Sequence, residues 1–223
     1  MIERFILFFI LINLSSCSDL ESQSNNEQLY LENMDTIVIG NQTWTTKNLN
    51  VDHFRNGDKI PEAKTNKEWV DAGLKEQPAW CHYDNDMKNG QVYGKLYNWY
   101  AISDKRGLSP VGFHIPDIHE WDTLFNYLGN GWIAGDRIRD SSNTKLKKTN
   151  ITNNSGFSAL AAGFRYDPDI FYALGYSASW WTVTEVDEAN ALFCDLDFNM
   201  MHTVSNSKCP KIYGLSVRCI KDH

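Results

Sequence analysis

The sequence predicts an α+β domain, because helical patterns occupy the middle of the chain and strand patterns lie on both sides of them. The clearest helical pattern covers residues 117–129, and strand-like segments lie within residues 36–51 and 179–219. This order does not indicate a parallel sheet built from alternating strands and helices. Aromatic residues are frequent, with 8 Trp, 10 Tyr and 11 Phe among 223 residues, so we expect an aromatic core.

The first residues have the composition of an export signal. Residues 5–14 form an apolar segment that is too short to span a membrane core of about 30 Å but suits the central region of a signal peptide. The sequence LSSC that ends at Cys17 resembles a bacterial lipobox, in which the cysteine becomes lipidated. We predict a lipoprotein signal peptide over residues 1–17 with lipid attachment at Cys17. The alternative is an ordinary signal peptide with an incidental cysteine.

Residues 18–35 are predicted to form a flexible acidic tether between the lipid anchor and a folded domain at residues 36–223. The segment is polar and shows no hydrophobic periodicity before Leu29, so it has too little apolar surface to fold alone. Asp19 and Glu21 resemble the export signals of surface lipoproteins in Bacteroidota-type bacteria. The expected location is the bacterial outer membrane or cell surface, with the membrane as a partner through the lipid anchor.

The folded domain begins with a predicted hairpin. Residues 36–39 and 42–45 are rich in β-branched and aromatic side chains and flank Gly40-Asn41. Glycine at the first position of a two-residue loop suits a type II′ turn.

The next segments predict a short helix, a strand and a turn. Residues 65–73 have helical character with Asn66 as the N-cap, and residues 80–83 predict a strand. Residues 84–90 are rich in Asp and Asn and superficially resemble a calcium-binding loop. Lys88 lies where such a loop needs an oxygen ligand, and no glutamate occupies the twelfth position. A turn is the preferred interpretation, and bound calcium is the alternative.

Two helices are predicted within residues 93–129. The first is predicted from apolar residues on one helical face: Tyr93, Leu96, Tyr97, Tyr100 and Ala101. The second has stronger signals, since Asp117 is followed three residues later by Glu120, as in a capping box, and Gly129 suits the C-terminal position. Its apolar stripe consists of Trp121, Leu124, Phe125 and Leu128.

The rest of the chain is predicted to be loop and strand. Residues 130–154 contain two glycines and many polar side chains, which indicates a loop. Strands are predicted over residues 156–163, 179–185, 192–198 and 215–219.

The net charge of −7 argues against nucleic acid as a partner, because such proteins need a basic face. Lys145, Lys147 and Lys148 form the one basic cluster, and it lies in a segment rich in Thr and Asn. We interpret this cluster as a solvated loop.

Four cysteines follow Cys17: Cys81, Cys194, Cys209 and Cys219. An even number in an exported chain indicates two disulfides, with three possible connectivities. Zinc is the alternative, but there is no C-x-x-C pair, and the spacings of 113, 15 and 10 residues suit no common zinc motif. No metal is therefore expected at these residues.

Six stretches, in this order, resemble the Fibrobacter succinogenes major paralogous domain: IGNQTWTTKNLNV, YGKLYNWYA, GLSPVGFHIPDIHEWDTL, SGFSALAAGFR, SWWTVTE and GLSVRCIKD. The resemblance covers nearly all of residues 36–222. It implies an exported bacterial protein, often a lipoprotein, with a C-type-lectin-like fold. Such a fold has two helices packed on an antiparallel sheet, long irregular loops and adjacent termini. The family has no established activity, although its fold is grouped with formylglycine-generating domains.

The sequence departs from the family pattern at Ser109, because the family usually has a cysteine before Pro110. That cysteine would be the natural partner of the terminal one, so Cys219 must pair elsewhere or stay free. By analogy with C-type-lectin-like folds, the resemblance implies disulfides between Cys81 and Cys219 and between Cys194 and Cys209.

No catalytic constellation is found in the sequence. His114 and His119 flank the start of the second helix, but His119-Glu120 is not followed by a second zinc-binding histidine, and Glu120 has a capping role. Residues 175–179 lack the second glycine of a nucleophile elbow. We therefore expect non-catalytic binding of a polysaccharide or a surface protein, with no cofactor. The alternatives are an enzyme related to formylglycine-generating domains and a structural or adhesion protein.

Aromatic and acidic residues are the candidates for this binding, because aromatic faces stack on sugar rings and carboxylates accept from sugar hydroxyls. The chosen candidates are Trp132, Trp180, Asp195 and Asp197. Further aromatic and acidic residues that could take part in this binding are Trp80, Trp181, Asp84 and Asp86. The alternative is that these tryptophans belong to the core.

Overall fold

The computed structural model describes residues 35–142, 144–145, 152–167, 169–198 and 203–223, and the folded unit covers Asp35–His223. Within these residues the helices are α1 Asn66–Leu74, α2 Met87–Tyr93, α3 Trp99–Ile102, α4 Ile118–Leu128 and α5 Gly131–Ile138, with a 3-10 turn at Tyr83–Asn85. The strands are β1 Thr36–Ile39, β2 Gln42–Thr45, β3 Trp80–Cys81, β4 Leu96–Tyr97, β5 Phe113–His114, β6 Phe164–Asp167, β7 Ile170–Tyr172, β8 Ser177–Glu185, β9 Asn190–Asp197, β10 Thr203–Pro210 and β11 Ile220–Lys221. The strands pair antiparallel in several small sheets. The domain is thus mixed α and β, as the sequence predicts.

A four-stranded sheet joins the two ends of the domain, in the order β1-β2-β11-β5. Ile220 in the last strand pairs with Trp44 on one side and with His114 on the other. The predicted hairpin is confirmed, since Gly40 has a φ of 63° while Asn41 stays outside the left-handed region, as a type II′ turn requires. The first and last strands of the domain therefore lie in the same sheet.

A second sheet, in the order β10-β9-β8, carries the longest strands. Ser179 is opposite Asp195, and Trp180 is opposite Cys194. Side chains alternate between the two faces of a strand, so one face carries the core residues Cys194, Leu196 and Phe198. The other face carries Asp195 and Asp197, and this alternation is the one predicted from the sequence. Two short pairs, β3-β4 and β6-β7, complete the sheets of the described residues.

Helix α4 packs its apolar stripe into an aromatic core, as the sequence predicts. Asp117 and Glu120 form the predicted capping box, and Gly129 ends the helix in the left-handed conformation at a φ of 98°. Trp121 lies at the centre, with its ring 4.7 Å from that of Trp44 and 5.3 Å from that of Trp180. Edge-to-face and offset contacts of this kind add specific geometry to the hydrophobic burial. Helix α4 is therefore held between both larger sheets.

The buried guanidinium of Arg218 connects the end of the chain to this core. Arg218 is fully buried and donates to the side chain of Asn48 and to the carbonyls of Thr45, Phe157 and Ser158. Burial lowers the pKa of Arg218 to about 9. Four hydrogen bonds satisfy the buried cation without a carboxylate at bonding distance among these contacts.

The prediction of one continuous helix from Tyr93 to Ala101 is wrong. Leu96 and Tyr97 form strand β4, which pairs with β3, and a new helical turn begins after Asn98. Gly94 ends helix α2 with a φ of 79°, and the side chain of Asn98 caps the N-terminus of α3. These two local breaks override the apolar periodicity that predicts one continuous helix.

Several other boundaries differ from the predictions. Helix α1 is capped by Thr65 rather than by Asn66. The predicted turn at residues 84–90 contains the start of α2, and the predicted loop after residue 130 contains α5. Residues 156–163 make isolated bridges instead of a strand, although their alanines are buried at close contacts as expected. The strand predicted at residues 215–219 is wrong, because the last strand is Ile220–Lys221 and Leu215 and Ser216 make only isolated bridges. Arg218 is also buried along with its apolar neighbours, which breaks the predicted alternation.

No helix in the described part of the chain is long and apolar enough to cross a membrane. Cys17 and the predicted signal peptide lie outside the described residues, as does the predicted tether up to residue 34.

Candidate functional site

A cleft of about 470 Å³ opens between the β6-β7 hairpin and the outer face of the β8-β9 pair. This volume lies in the range of about 300–1,000 Å³ that small-molecule sites occupy. Aromatic and charged side chains supply most of the lining: Tyr83, Phe164, Tyr172, Tyr176, Lys145, Asp195 and Asp197. The other described residues of the lining are Ala173, Leu174 and Ser177. We refer to this site as the cleft.

Tyr83 forms the wall of the cleft nearest to the β6-β7 hairpin. Its ring lies 5.2 Å from the ring of Phe171, and burial raises the pKa of the Tyr83 hydroxyl. Gly163 permits this approach, because a Cβ there would lie 2.7 Å from the Tyr83 ring and 2.5 Å from the carbonyl oxygen of Tyr172. Gly163 also has a φ of 62°, a conformation that favours glycine. This glycine therefore fixes the distance between the hairpin and Tyr83.

Asp195 provides an oriented hydrogen-bond acceptor in the cleft. The hydroxyls of Ser177 and Ser179 donate to its Oδ1 at 2.9 and 2.5 Å. Burial raises the pKa of Asp195 above its usual range, although the two serine hydrogen bonds lower it and Asp197 raises it further. A carboxylate held in this way has a fixed direction and can accept further hydrogen bonds from a ligand.

Lys145 lies over the aromatic wall on the other side of the cleft. Its Nζ is 5.5 Å from the ring centroid of Tyr176, and its backbone N–H donates to the carbonyl of Gly175. The attraction between an ammonium group and a ring face holds such a pair together. Lys145 belongs to the cluster that the sequence suggested to be a solvated loop; Lys147 and Lys148 lie outside the described residues.

The structure brings two of the predicted ligand-binding residues together and separates a third from them. Asp195 and Asp197 both line the cleft. Trp180 is fully buried in the core, with its indole N–H donating to Asn48, so its selection as a ligand-binding residue is wrong. The side chain of Trp132 lies outside the described residues, although its backbone belongs to helix α5.

Two other tryptophans that were considered for ligand binding also belong to the core. Trp80 and Trp181 are buried, and their indole N–H groups donate to the carbonyls of Ile60 and Tyr97. A buried indole with a backbone acceptor is a packing element. The interpretation of these tryptophans as core residues is therefore correct.

Asp84 and Asp86 serve local backbone structure beside the cleft. Asp84 adopts a φ of 55°, and Asp86 caps helix α2 by accepting from the N–H of Lys88. Burial raises the pKa of Asp84, with Asp86 raising it further and Lys145 lowering it. Within the described ranges, no three side chains of the usual metal-binding types are grouped closely enough to hold an ion.

All four described cysteines are buried free thiols, so neither implied disulfide is present. The pairing of β9 with β10 places Cys209 opposite Ala191, three residues from Cys194. A strand advances about 3.3 Å per residue, which separates the two cysteines by more than the roughly 7 Å that a disulfide tolerates. Cys81 pairs with Leu96 in a separate sheet from the segment of Cys219.

His114 and Glu120, for which the sequence predicts no catalytic role, form a structural contact. The Nε2 atom of His114 lies 2.7 Å from Glu120, and its Nδ1 lies 2.7 Å from Asp222. Glu120 also accepts from the backbone N–H of Asp117, as a capping residue does. Both side chains are therefore used to connect helix α4 with the end of the chain.

Sequence reasoning did not select the aromatic residues of the cleft. Tyr83, Tyr172 and Tyr176 come from three separate segments, and only the fold brings them near Asp195. One signal was present: Phe164 and Tyr166 alternate with Arg165, which is the period of a strand with one aromatic face.

A comparison with family models found that the Fibrobacter succinogenes major domain matches residues 37–221. The matched range contains all of the described residues that line the cleft. No curated protein and no solved structure is significantly similar to the chain.

Proposed function

The chain belongs to the Fibrobacter succinogenes major domain family, and we propose that its domain binds polysaccharide in the cleft without cleaving it. The observation that supports this proposal most directly is the position of exposed tyrosine rings beside two carboxylates. Tyr172 and Tyr176 are exposed at the cleft, and Asp195 and Asp197 are half-buried next to them.

The chemistry of the cleft suits a sugar. A pyranose ring has one apolar C–H face that stacks on an aromatic ring, and its hydroxyls donate hydrogen bonds around the edge. Tyr172 and Tyr176 supply the rings, and Asp195 supplies a carboxylate that two serines orient. Ligand sites of this kind combine a mostly apolar wall with a few well-placed polar groups.

The described cysteines favour binding over thiol chemistry. A reactive cysteine must be accessible and partly ionised at neutral pH. Burial raises the pKa of Cys81 to about 11 and that of Cys219 to about 12. These thiols therefore suit packing rather than the redox chemistry of a formylglycine-generating site.

We also propose that Cys17 carries the lipid anchor and that residues 18–35 hold the domain away from the membrane. The apolar segment before Cys17 and the acidic composition after it support this arrangement. Two or more acyl chains bind a membrane far more stably than one chain does. The domain would then present its cleft at the outer membrane or cell surface.

The finer description of the fold, a C-type-lectin-like domain, is part of the same proposal. Its support is the pairing of β11 with β2, which joins the ends of the domain, and the packing of helix α4 between two antiparallel sheets. An experimental structure in which β11 does not pair with β2 would contradict it.

Affinity electrophoresis tests the binding proposal directly. The full chain with a Cys17→Ser change is run through gels that contain mannan, xylan, laminarin, cellulose derivatives or soluble chitin derivatives. We expect retardation in at least one gel, lost in a Tyr172→Ala variant. Tyr127→Ala is the matched control, since Tyr127 is 65% exposed against 62% for Tyr172 and does not line the cleft. Absence of retardation in every gel would contradict the proposal.

A further inference from the structure

The aromatic surface of the cleft continues beyond it. Phe164 lines the cleft with its ring 5.9 Å from that of Tyr172 and 6.4 Å from that of Tyr166. The ring of Tyr166 lies in turn 5.1 Å from that of Tyr213. The four rings Tyr172, Phe164, Tyr166 and Tyr213 thus form a continuous series, which we call the aromatic track.

The register of the β6-β7 hairpin explains why the rings of Phe164, Tyr166 and Tyr172 share one face. Phe164 is opposite Tyr172, and Arg165 is opposite Phe171. Arg165 points to the interior and is fully buried, with its guanidinium 4.6 Å from the ring of Trp69 and 4.8 Å from that of Phe171. Since alternate residues face opposite sides, the neighbours of Arg165 must face outward.

Backbone hydrogen bonds hold the far end of the track in place. The N–H of Arg165 donates to the carbonyl of Gly214 at 2.8 Å, and the N–H of Gly214 donates back at 3.0 Å. This exchange places Tyr213 beside Tyr166. A surface that is already ordered loses little conformational entropy when a ligand binds.

The track is open to solvent at Tyr166 and Tyr172, and its other two rings, Phe164 and Tyr213, are partly exposed. Tyr166 is 49% exposed and Tyr172 is 62% exposed, and Ile170 on the same hairpin is also exposed. Contiguous exposed aromatic residues of this kind mark binding surfaces. We propose, on the basis of the polysaccharide-binding function above, that the track extends the cleft. It would hold an uncharged polysaccharide chain, with two sugar units in the cleft and at least one more on Tyr166 and Tyr213.

The polar groups of the cleft select the kind of chain. Among the described residues that line the cleft, the acceptors Asp195 and Asp197 outnumber the one cation, Lys145. Polysaccharides that carry carboxylates or sulfates are therefore repelled, whereas hydroxyl-rich neutral chains donate to these oxygens. A proline-rich peptide also stacks on tyrosines, but it presents mainly carbonyl acceptors, which do not complement an acceptor-rich site.

The length dependence of binding tests this proposal. The same full chain with Cys17→Ser is titrated calorimetrically with the disaccharide and the hexasaccharide of the manno-, cello-, xylo-, laminari- and chito- series. We expect the hexasaccharide of the recognised series to bind about tenfold more tightly than its disaccharide, which corresponds to one additional stacked ring. Tyr166→Ala should remove this gain and leave disaccharide binding unchanged.

Two variants separate the track from the cleft. Tyr172→Ala should weaken binding of both sugars, and Tyr127→Ala should weaken neither. Equal affinity for both lengths, or an equal loss for both in Tyr166→Ala, would overturn the track while leaving the cleft as the binding site. Failure of every saccharide to bind would overturn the track and the proposed function together. Tighter binding of pectate, alginate or a proline-rich peptide would also overturn the proposal.

Discussion

The side chains of His114 and Glu120 lie 2.7 Å apart, and this contact joins strand β5 to helix α4. Oε1 of Glu120 contacts Nε2 of the His114 imidazole, and Oε2 accepts from the N-cap N–H of Asp117. The second ring nitrogen of His114 lies against Asp222. The imidazole is thus held between two carboxylates from distant parts of the sequence.

This contact predicts a pH dependence of stability. Burial lowers the pKa of His114, but the hydrogen bonds to Glu120 and Asp222 outweigh it and raise the pKa above its usual value. A raised folded-state pKa contributes stability that is complete below the unfolded-state value of about 6.5 and is lost as the pH rises through the folded-state pKa. Urea denaturation between about pH 5 and pH 8.5 should therefore show this loss as the pH increases.

His114→Gln supplies the control for that measurement. Burial lowers the pKa of His82, whose contribution has the opposite sign, so the wild type alone gives a mixed profile. The difference in unfolding free energy between wild type and His114→Gln isolates the His114 term. A difference that does not change with pH would show that the two carboxylates do not stabilise the imidazolium.

Substitution of Arg218 is expected to be strongly destabilising. Arg218→Lys keeps the charge, but a single ammonium group cannot reach the carbonyls of Thr45, Phe157 and Ser158 as well as Asn48. Each buried carbonyl left without a donor costs about 1–3 kcal/mol. We expect a loss of about 3 kcal/mol or more in urea denaturation. A loss no larger than that of Lys221→Arg, a change at an exposed residue, would contradict this role.

Gly163→Ala tests how the cleft is built. The new methyl group would overlap the carbonyl of Tyr172 and the ring of Tyr83. The alanine backbone would also have to adopt a positive φ. Gly112→Ala is the matched control, because Gly112 has a φ of 76° with no atom within 4 Å of the added Cβ. The backbone strain of about 1–2 kcal/mol is common to both. Thermal unfolding should therefore show a larger loss for Gly163→Ala, and equal losses would mean that the close approach is not required.

Thiol labelling distinguishes the buried cysteines from disulfides. With Cys17→Ser, the native protein should not react with Ellman's reagent, because all four remaining cysteines are buried. Unfolding in urea without a reductant should release four reactive thiols. Burial also raises the pKa of Cys194 and Cys209, which slows any reaction of the native state. Two or zero thiols after unfolding would show that disulfides form.

The proposed lipid anchor is tested by Cys17→Ala in a bacterial host that processes lipoproteins. The change should release the protein from the membrane fraction, since the lipid would have no attachment site. Cys209→Ala serves as a control with the same chemical change in the folded domain. Membrane association that persists in Cys17→Ala would refute lipidation at this residue.

Much of the fold follows from short sequence signals. The turn at Gly40-Asn41, the capping box of Asp117 and Glu120, and the alternation around Asp195 involve residues within a few positions of one another. The error at Leu96 and Tyr97 shows where such signals fail. An apolar period suits either a helix or buried strands, and the choice depended on pairing with β3.

The candidate site was predictable only in part, because it depends on contacts between distant segments. Asp195 and Asp197 were selected for their type, and both line the cleft, whereas Trp180 was selected for its type and is part of the core. Burial of a tryptophan depends on which elements pack over it, and the local sequence does not contain that information.

The sequence by itself determined the family and the mixed α and β class of the domain. The tertiary structure alone decided that Tyr83, Tyr172 and Asp195 meet in one cleft and that the cysteines stay apart. The physical reason is the range of the interactions involved. Caps, turns and side-chain alternation act between near neighbours, while a cleft is made by the packing of strands that are far apart in the chain.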